Sequence, residues 1–356
     1  MNKAFNPDML ILGRMARGLS QSALADCVPR LSQSRLSRVE AGLTIPIEEE
    51  VGALAQALRF RPELFFRAHS RRAMPATYHR KRQRLTKGGW DAIYARAELV
   101  RIAIADMLNS VELTLNRRPP PSIELEDFHD DPDAIAEAIR QFWEIPRGPI
   151  ADVTRIVEGA GVIVVHLDFG SDLIDGFSQH AMDRIPPIIF VNQKLTTDRL
   201  RFTLCHELAH LLLHLMPNPK MEDQANSFAS AFLMPRDDIR HELYSISLER
   251  LKALKLSWKT SMSALVRRAR DLGKISEASY KYYNIEMSRR GWRTKEPVDI
   301  IQEIERPRIV RQLVDAHIGK LEYSISELAK LVGWEDRELD ETFGVSQRPR
   351  LRLVVN

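Results

Sequence analysis

Cysteine is scarce: 356 residues include two, Cys27 and Cys205. They lie in stretches expected to fold separately, so a disulfide framework is excluded and a reducing cytoplasmic setting is expected. Long apolar runs are lacking too. No 18 consecutive apolar residues occur, which excludes a helical membrane span and a membrane partner. The opening stretch MNKAFNPDMLILGRMARG has too short an apolar segment, and no convincing cleavage site, for a secretory signal. Internal repeats and low-complexity tracts are also missing. What remains is a globular composition, 44% hydrophobic and 28% charged, long enough for two or three domains.

The net charge of +4 conceals an asymmetry. Residues 1–90 hold 16 Lys and Arg against 7 Asp and Glu, a net +9, and the rest hold 36 against 41, a net −5. A basic N-terminal block suits a polyanion partner, although a solvated basic surface is the plainer alternative. Its pattern favours DNA. DMLILGRMARG reads as a first helix. SQSALADCV reads as a second, with Ser20 as N-cap, and SQSRLSRVEAG as a third, ending at the C-cap signal Gly42. PIEEEVGALAQALRF supplies a fourth, with Ile47, Val51, Leu54, Ala55 and Leu58 at helical spacing. Two short helices around a tight turn form a helix-turn-helix. Through LSQSALA and SQSRLSRVEAG, residues 7–66 resemble the XRE (lambda-repressor-like) family. The resemblance implies that Ser32–Val39 is the recognition helix, entering a double-stranded DNA operator, and a homodimer is a possible assembly. Gln33, Ser34, Ser37 and Arg38 are the polar candidates for base or backbone contact, and Gln21 suits a phosphate. Leu36 and Val39 are expected in the core, and Arg14 with Glu40 as a structural ion pair. The turn CVPRL carries Pro29 where the family usually has Gly.

A second pattern lies in RFTLCHELAHLLLH, residues 201–214. His206, Glu207 and His210 read H-E-x-x-H. On a helix, residues four apart share a face, so both imidazoles can reach one ion with Glu207 beside them. That is the zinc-peptidase pattern of two His ligands, a Glu general base and a position left open. The alternative is a core helix with satisfied histidines. Leu204, Leu208, Leu211, Leu212, Leu213 and Leu215 make the helix apolar nearly all round, and a buried Glu with two His then needs a partner, which a metal would supply. His214 rises about 12 Å beyond His206 on a straight helix, too far to share the ion, and reads as a supporting residue. MPNP breaks the helix, and KMEDQANSFASAFLMP forms another. Helices joined by a short loop pack antiparallel, so Glu222 in its first turn can face the His pair. It could also simply favour the helix N-terminus. Asp223 should point away, and Cys205 reads as a small buried hydrophobe.

PPIIFVNQKLTTDRLRFTLCHELAHLLLH followed by EDQANSFASAFLMP closely resembles the ImmA/IrrE metallopeptidase family over residues 125–240, with DGFS at 175–178 similar as well. The resemblance implies that His206, His210 and Glu222 bind the metal and that Glu207 is the catalytic base. One Zn2+ per chain is expected, with Mn2+ an alternative.

The expected fold class is α+β and mostly helical. Residues 1–66 form the all-α helix-turn-helix domain, and 67–124 a basic connector with a long helix. Residues 125–240 form a zincin-like domain with strands at GVIVVHLDF and PPIIFVN. Residues 241–356 form a helical region of unknown role. Within it WKTSMSALVRRARDLGKIS reads as one amphipathic helix, and SISELAKLVGWEDRELDETFG as two helices whose acidity suits a structural or protein contact better than DNA. His166 and His180 read as core or surface residues. Three functions compete: a regulator whose peptidase domain cleaves a repressor or other partner protein under stress, a transcription factor whose peptidase-like domain only senses, and an antitoxin-like autorepressor facing a toxin.

Overall fold

A computed structural model describes residues 4–69, 85–112, 123, 125–182, 184–293, 295–297 and 305–345. The chain divides into two compact units: residues 1–113 with 309–356, and residues 114–308. Among the described residues no helix is long and apolar enough to cross a membrane.

The first unit begins with α1 (Pro7–Ala16), α2 (Gln21–Cys27), α3 (Gln33–Glu40) and α4 (Glu48–Leu58). Each start has a local cause. Asn6, Ser20 and Ser32 accept from backbone N–H groups one or two residues inside the first turns. At α4 the Glu50 carboxylate accepts from the Ile47 N–H at 3.0 Å. Met9, Leu10, Leu24, Leu36, Val39, Leu54 and Leu58 fill the centre, so Leu36 and Val39 lie in the core as expected. The α2–α3 turn resolves without glycine because Arg30 adopts φ +63°, the left-handed region a glycine would enter more cheaply. A long α5 (Lys87–Leu108) packs on α1.

The second unit carries α6 (Pro132–Phe142), α7 (Val153–Gly159), β1 (Ile163–Leu167), β2 (Gly176–Gln179), β3 (Ile188–Asn192), α8 (Thr197–Leu213), α9 (Met221–Leu233), α10 (Arg236–Ile239), α11 (Leu248–Trp258), α12 (Met262–Asp271) and α13 (Glu277–Arg289). The sheet order is β1-β3-β2, with β1 parallel and β2 antiparallel to β3. The strands expected at β1 and β3 form. Strand β2 was not expected, since a four-residue run with Ser and Gln in it has little β pattern; yet all four residues are buried. Lys259, at φ +54°, ends α11 at Trp258, so the helix expected from Trp258 onward forms only as α12, from Met262 to Asp271. The core joins α6, α7, the sheet, α8, α9, α11 and α12.

The chain then returns to the first unit as α14 (Ile309–Gly319), α15 (Ile325–Val332) and α16 (Asp336–Phe343). The four consecutive segments read from the sequence therefore do not match the compact units. Helices α11–α13 complete the second unit, while α14–α16 complete the first. Helices α14 and α15 pack on α5. Arg61 donates to the Trp334 carbonyl at 2.9 Å and to Asp336 at 2.7 Å, and Arg17 pairs with Glu338 at 3.0 Å. Gly333 sits at φ +75°, where a Cβ would stand 2.9 Å from the Leu64 Cα, so only glycine lets the α15–α16 turn lie this close. Of the acidic residues of α16, Asp336 and Glu338 thus face Arg61 and Arg17, and Glu341 pairs with Arg337 of the same helix.

Candidate metal centre

Helix α8 is buried over most of its length, Leu200, Leu204, Leu208 and Ala209 included. It is pinned at its start by two charged contacts. Asp198 is bound by the buried Lys255, which also holds Glu296, and the fully buried Arg201 pairs with Glu305. The second half of α8 packs against α9, and the buried residues of the pair include Ala209, Ala225 and Ala229, whose small side chains let helices approach closely.

Where the two helices meet, His206, His210 and Glu222 form the one group of His, Cys, Asp and Glu ligand atoms found close enough to hold an ion among the described residues. The two imidazole Nε2 atoms lie 3.1 Å apart. Glu222 Oε2 is 3.6 Å from His206 Nε2, and its Oε1 is 3.5 Å from His210 Nε2. A tetrahedral ion with bonds of about 2.0–2.1 Å needs ligand atoms about 3.3–3.4 Å apart. The three separations bracket that value, and the two-imidazole, one-carboxylate set suits zinc. Asp223, one residue on, is exposed and takes no part.

The far side of each ring is also held. His206 Nδ1 faces Asn226 Oδ1 at 3.1 Å, His210 Nδ1 faces His214 Nδ1 at 3.0 Å, and His214 Nε2 faces Gln224 Oε1 at 3.0 Å. Burial, with His210 beside it, pushes the His214 imidazole down to about 4, so it is neutral near pH 7. An amide oxygen can only accept, so His214 donates through Nε2 to Gln224 and its Nδ1 accepts from His210. His206 likewise donates through Nδ1 to Asn226. In the neutral form of both rings each Nε2 is left as the acceptor atom, turned toward Glu222. His214 reaches this position because α8 ends at Leu213 and His214 leaves the helical path (φ −125°, ψ 60°). It supports His210 from behind. The sequence identified His214 as supporting, but it gave no role to Gln224 or Asn226. Asn226 was visible as the helical i+4 neighbour of Glu222.

Glu207 is 1% exposed, and its Oε2 accepts from the Ser178 hydroxyl of β2 at 3.0 Å. Cys205 is buried, as expected, and burial pushes its thiol above the usual range. His166, on β1, is lowered to about 4 by burial and then by Arg306, and His180, just past β2, hydrogen-bonds the backbone of His214. Neither joins the ligand cluster.

In the first unit, Gln33, Ser34 and Arg38 are exposed on α3, and Ser37 is half-buried. Gln21 donates to Glu40 at 2.7 Å and accepts from Gln33 at 3.1 Å, while Arg14 pairs with the same Glu40 at 2.6 Å. The expected Arg14–Glu40 pair is therefore part of a chain that ends on Gln33.

No curated protein matches the chain significantly. The family model for the IrrE N-terminal-like domain, Peptidase_M78, matches residues 157–270. The match starts within α7 and ends in α12, so it holds the sheet, α8 and α9; it begins later than the 125–240 span read from the sequence and ends beyond it. The segment carrying His206, Glu207, His210 and Glu222 is thus similar to a metallopeptidase domain of the IrrE type.

Proposed function

We propose that the second unit is a zinc-dependent peptidase and that the first is a DNA reader, in a regulator that cleaves a partner protein such as a repressor. One observation carries the peptidase half. Two imidazole Nε2 atoms and a carboxylate converge at 3.1–3.6 Å, close to the separations that the ligands of one tetrahedral cation need. His206, His210 and Glu222 would hold that cation, which supplies a polarised carbonyl and an acidified water. The chain's own work falls to Glu207, which takes a proton from the attacking water and passes it to the leaving amine. Asn226 and His214 keep the imidazoles turned, and the buried surroundings of Glu207 limit competing water.

Metal content tests this reading. Protein purified without chelator is expected to contain about one zinc per chain by elemental analysis. His206→Ala and Glu222→Ala are expected to lose most of it. Full metal retention in Glu222→Ala would remove the carboxylate from the ligand set.

The DNA half is supported by the +9 charge of residues 1–90 and by the exposed Gln33, Ser34 and Arg38 of α3, with Ser37 and Gln21 as flanking contacts. Because α14–α16 complete this unit, the test uses the full chain. Arg38→Ala is expected to weaken binding to the DNA upstream of the protein's own gene by about 1–3 kcal/mol in fluorescence anisotropy. An equal loss on unrelated DNA would place Arg38 on phosphate, and wild-type protein with no preferred site there would remove the reader role. The sensor and antitoxin readings remain as alternatives that leave Glu207 without chemical work.

A further inference from the structure

We propose that Ser178 is the positioning residue for Glu207, and that Gly176 sets the distance at which it works; this rests on the peptidase reading above. Side chains two apart on a strand share one face, as do side chains four apart on a helix. Here the two repeats run in step. Gly176 lies against Thr203 of α8, where a Cβ would stand 2.7 Å from the Thr203 methyl and 2.9 Å from the Phe190 carbonyl oxygen. Two residues along β2 and one turn along α8, Ser178 meets Glu207 at 3.0 Å. The missing side chain at 176 therefore brings edge strand β2 close enough for a serine, among the shortest hydroxyl-bearing side chains, to reach the carboxylate.

The contact is suited to orienting a base. Ser178 is 8% and Glu207 1% exposed, so bulk water is a poor substitute for the hydroxyl. A hydroxyl donating to one carboxylate oxygen is a charge-assisted hydrogen bond, and it restrains rotation of the carboxylate about its side-chain bond. The backbone of β2 is held in turn by its ladder to β3, with Ser178 opposite Ile189, so the donor sits on a sheet rather than on a loop. This gives DGFS a physical meaning: the glycine admits the strand, and the serine aims the glutamate. Ser178 touches Glu207 and is assigned no contact with substrate.

The test uses full-length zinc-loaded protein and a quenched-fluorescent peptide pool of randomised sequence. Ser178→Ala is expected to keep one zinc per chain and to lower kcat about 10–100-fold, with KM within about twofold of wild type. Ser178→Thr, which restores the hydroxyl on a strand-compatible side chain, is expected to recover most of kcat. A second measurement needs no substrate. In thermal unfolding of the metal-free protein, the shifts caused by Ser178→Ala and Glu207→Leu, each of which removes the contact, should be non-additive in the double variant. An unchanged kcat in Ser178→Ala, a kcat loss that tracks zinc loss, failure of Ser178→Thr to recover activity, or additive thermal shifts would each overturn the proposal. Wild type that cleaves nothing in the pool would overturn the peptidase reading itself. Coupled thermal shifts in that case would leave Ser178 as a structural partner of Glu207 alone.

Discussion

Glu207→Gln is expected to retain zinc at the wild-type level and to lose peptide cleavage by about 10²–10⁴-fold, the usual loss when a general base is removed. The substitution conserves volume at a 1% exposed position. Its amide oxygen can still accept from Ser178, so β2 and α8 should keep their spacing. It removes only the ability to take a proton. The proposed ligands His206, His210 and Glu222 are left intact, which distinguishes this variant from His206→Ala, where loss of metal and loss of chemistry would arrive together. The same variant separates the competing functions in cells. If cleavage of a repressor is the output, cells carrying Glu207→Gln will fail to induce under stress, as a deletion does, while the protein still occupies its DNA. Induction equal to wild type would exclude catalysis as the output and leave the sensor or antitoxin reading.

The metal helix was legible because its evidence is local. H-E-x-x-H spacing fixes two imidazoles on one face of any helix, and a broken helix followed by another within a few residues brings Glu222 back to them. The N-terminal helices were legible for the same reason: Ser20 and Ser32 cap them, and Leu36 and Val39 repeat at helical spacing. What could not be read depends on distant partners. Nothing near Arg61 announces that it will bind Trp334 and Asp336, more than 270 residues away, so the return of α14–α16 to the first unit had no local trace. The acidity of α16 pointed away from DNA, but it did not name Arg17 as the counter-charge. Strand β2 was hidden because its burial comes from α8 and β3 rather than from its own composition. Gly176 and Ser178 acquire meaning only once Thr203 and Glu207 lie opposite them. His214 shows how a distance argument on a straight helix misses the actual path: it stays outside the His206–His210–Glu222 cluster, yet it meets His210 because the helix ends one residue before it.

The second large effect is expected at Glu305→Ala, which should destabilise the second unit by about 3–5 kcal/mol. Arg201 is 0% and Glu305 5% exposed, and the two form a buried ion pair. Glu305 also accepts from the N–H groups of Val153 and Thr154 at 2.8 and 3.0 Å, so one carboxylate pairs a guanidinium and caps α7. Removing it strands a buried cation and exposes two helix N–H groups to an apolar interior. Among the described residues, Arg201 would keep its side-chain bond to the Ile150 carbonyl at 2.7 Å. For a unit of this size, about 1 kcal/mol moves Tm by about 2–4 °C, so a fall of about 10 °C is expected in calorimetry. Because Arg201 lies on α8 five residues before His206, the loss should reach the metal site, and zinc should dissociate at a lower temperature than from wild type. Replacing both partners by methionine removes the stranded charge, and that double variant should lie closer to wild type than Glu305→Ala does. A Glu305→Ala transition within 2 °C of wild type would show that water or another group already satisfies Arg201, and the pair would then not be what holds the start of α8.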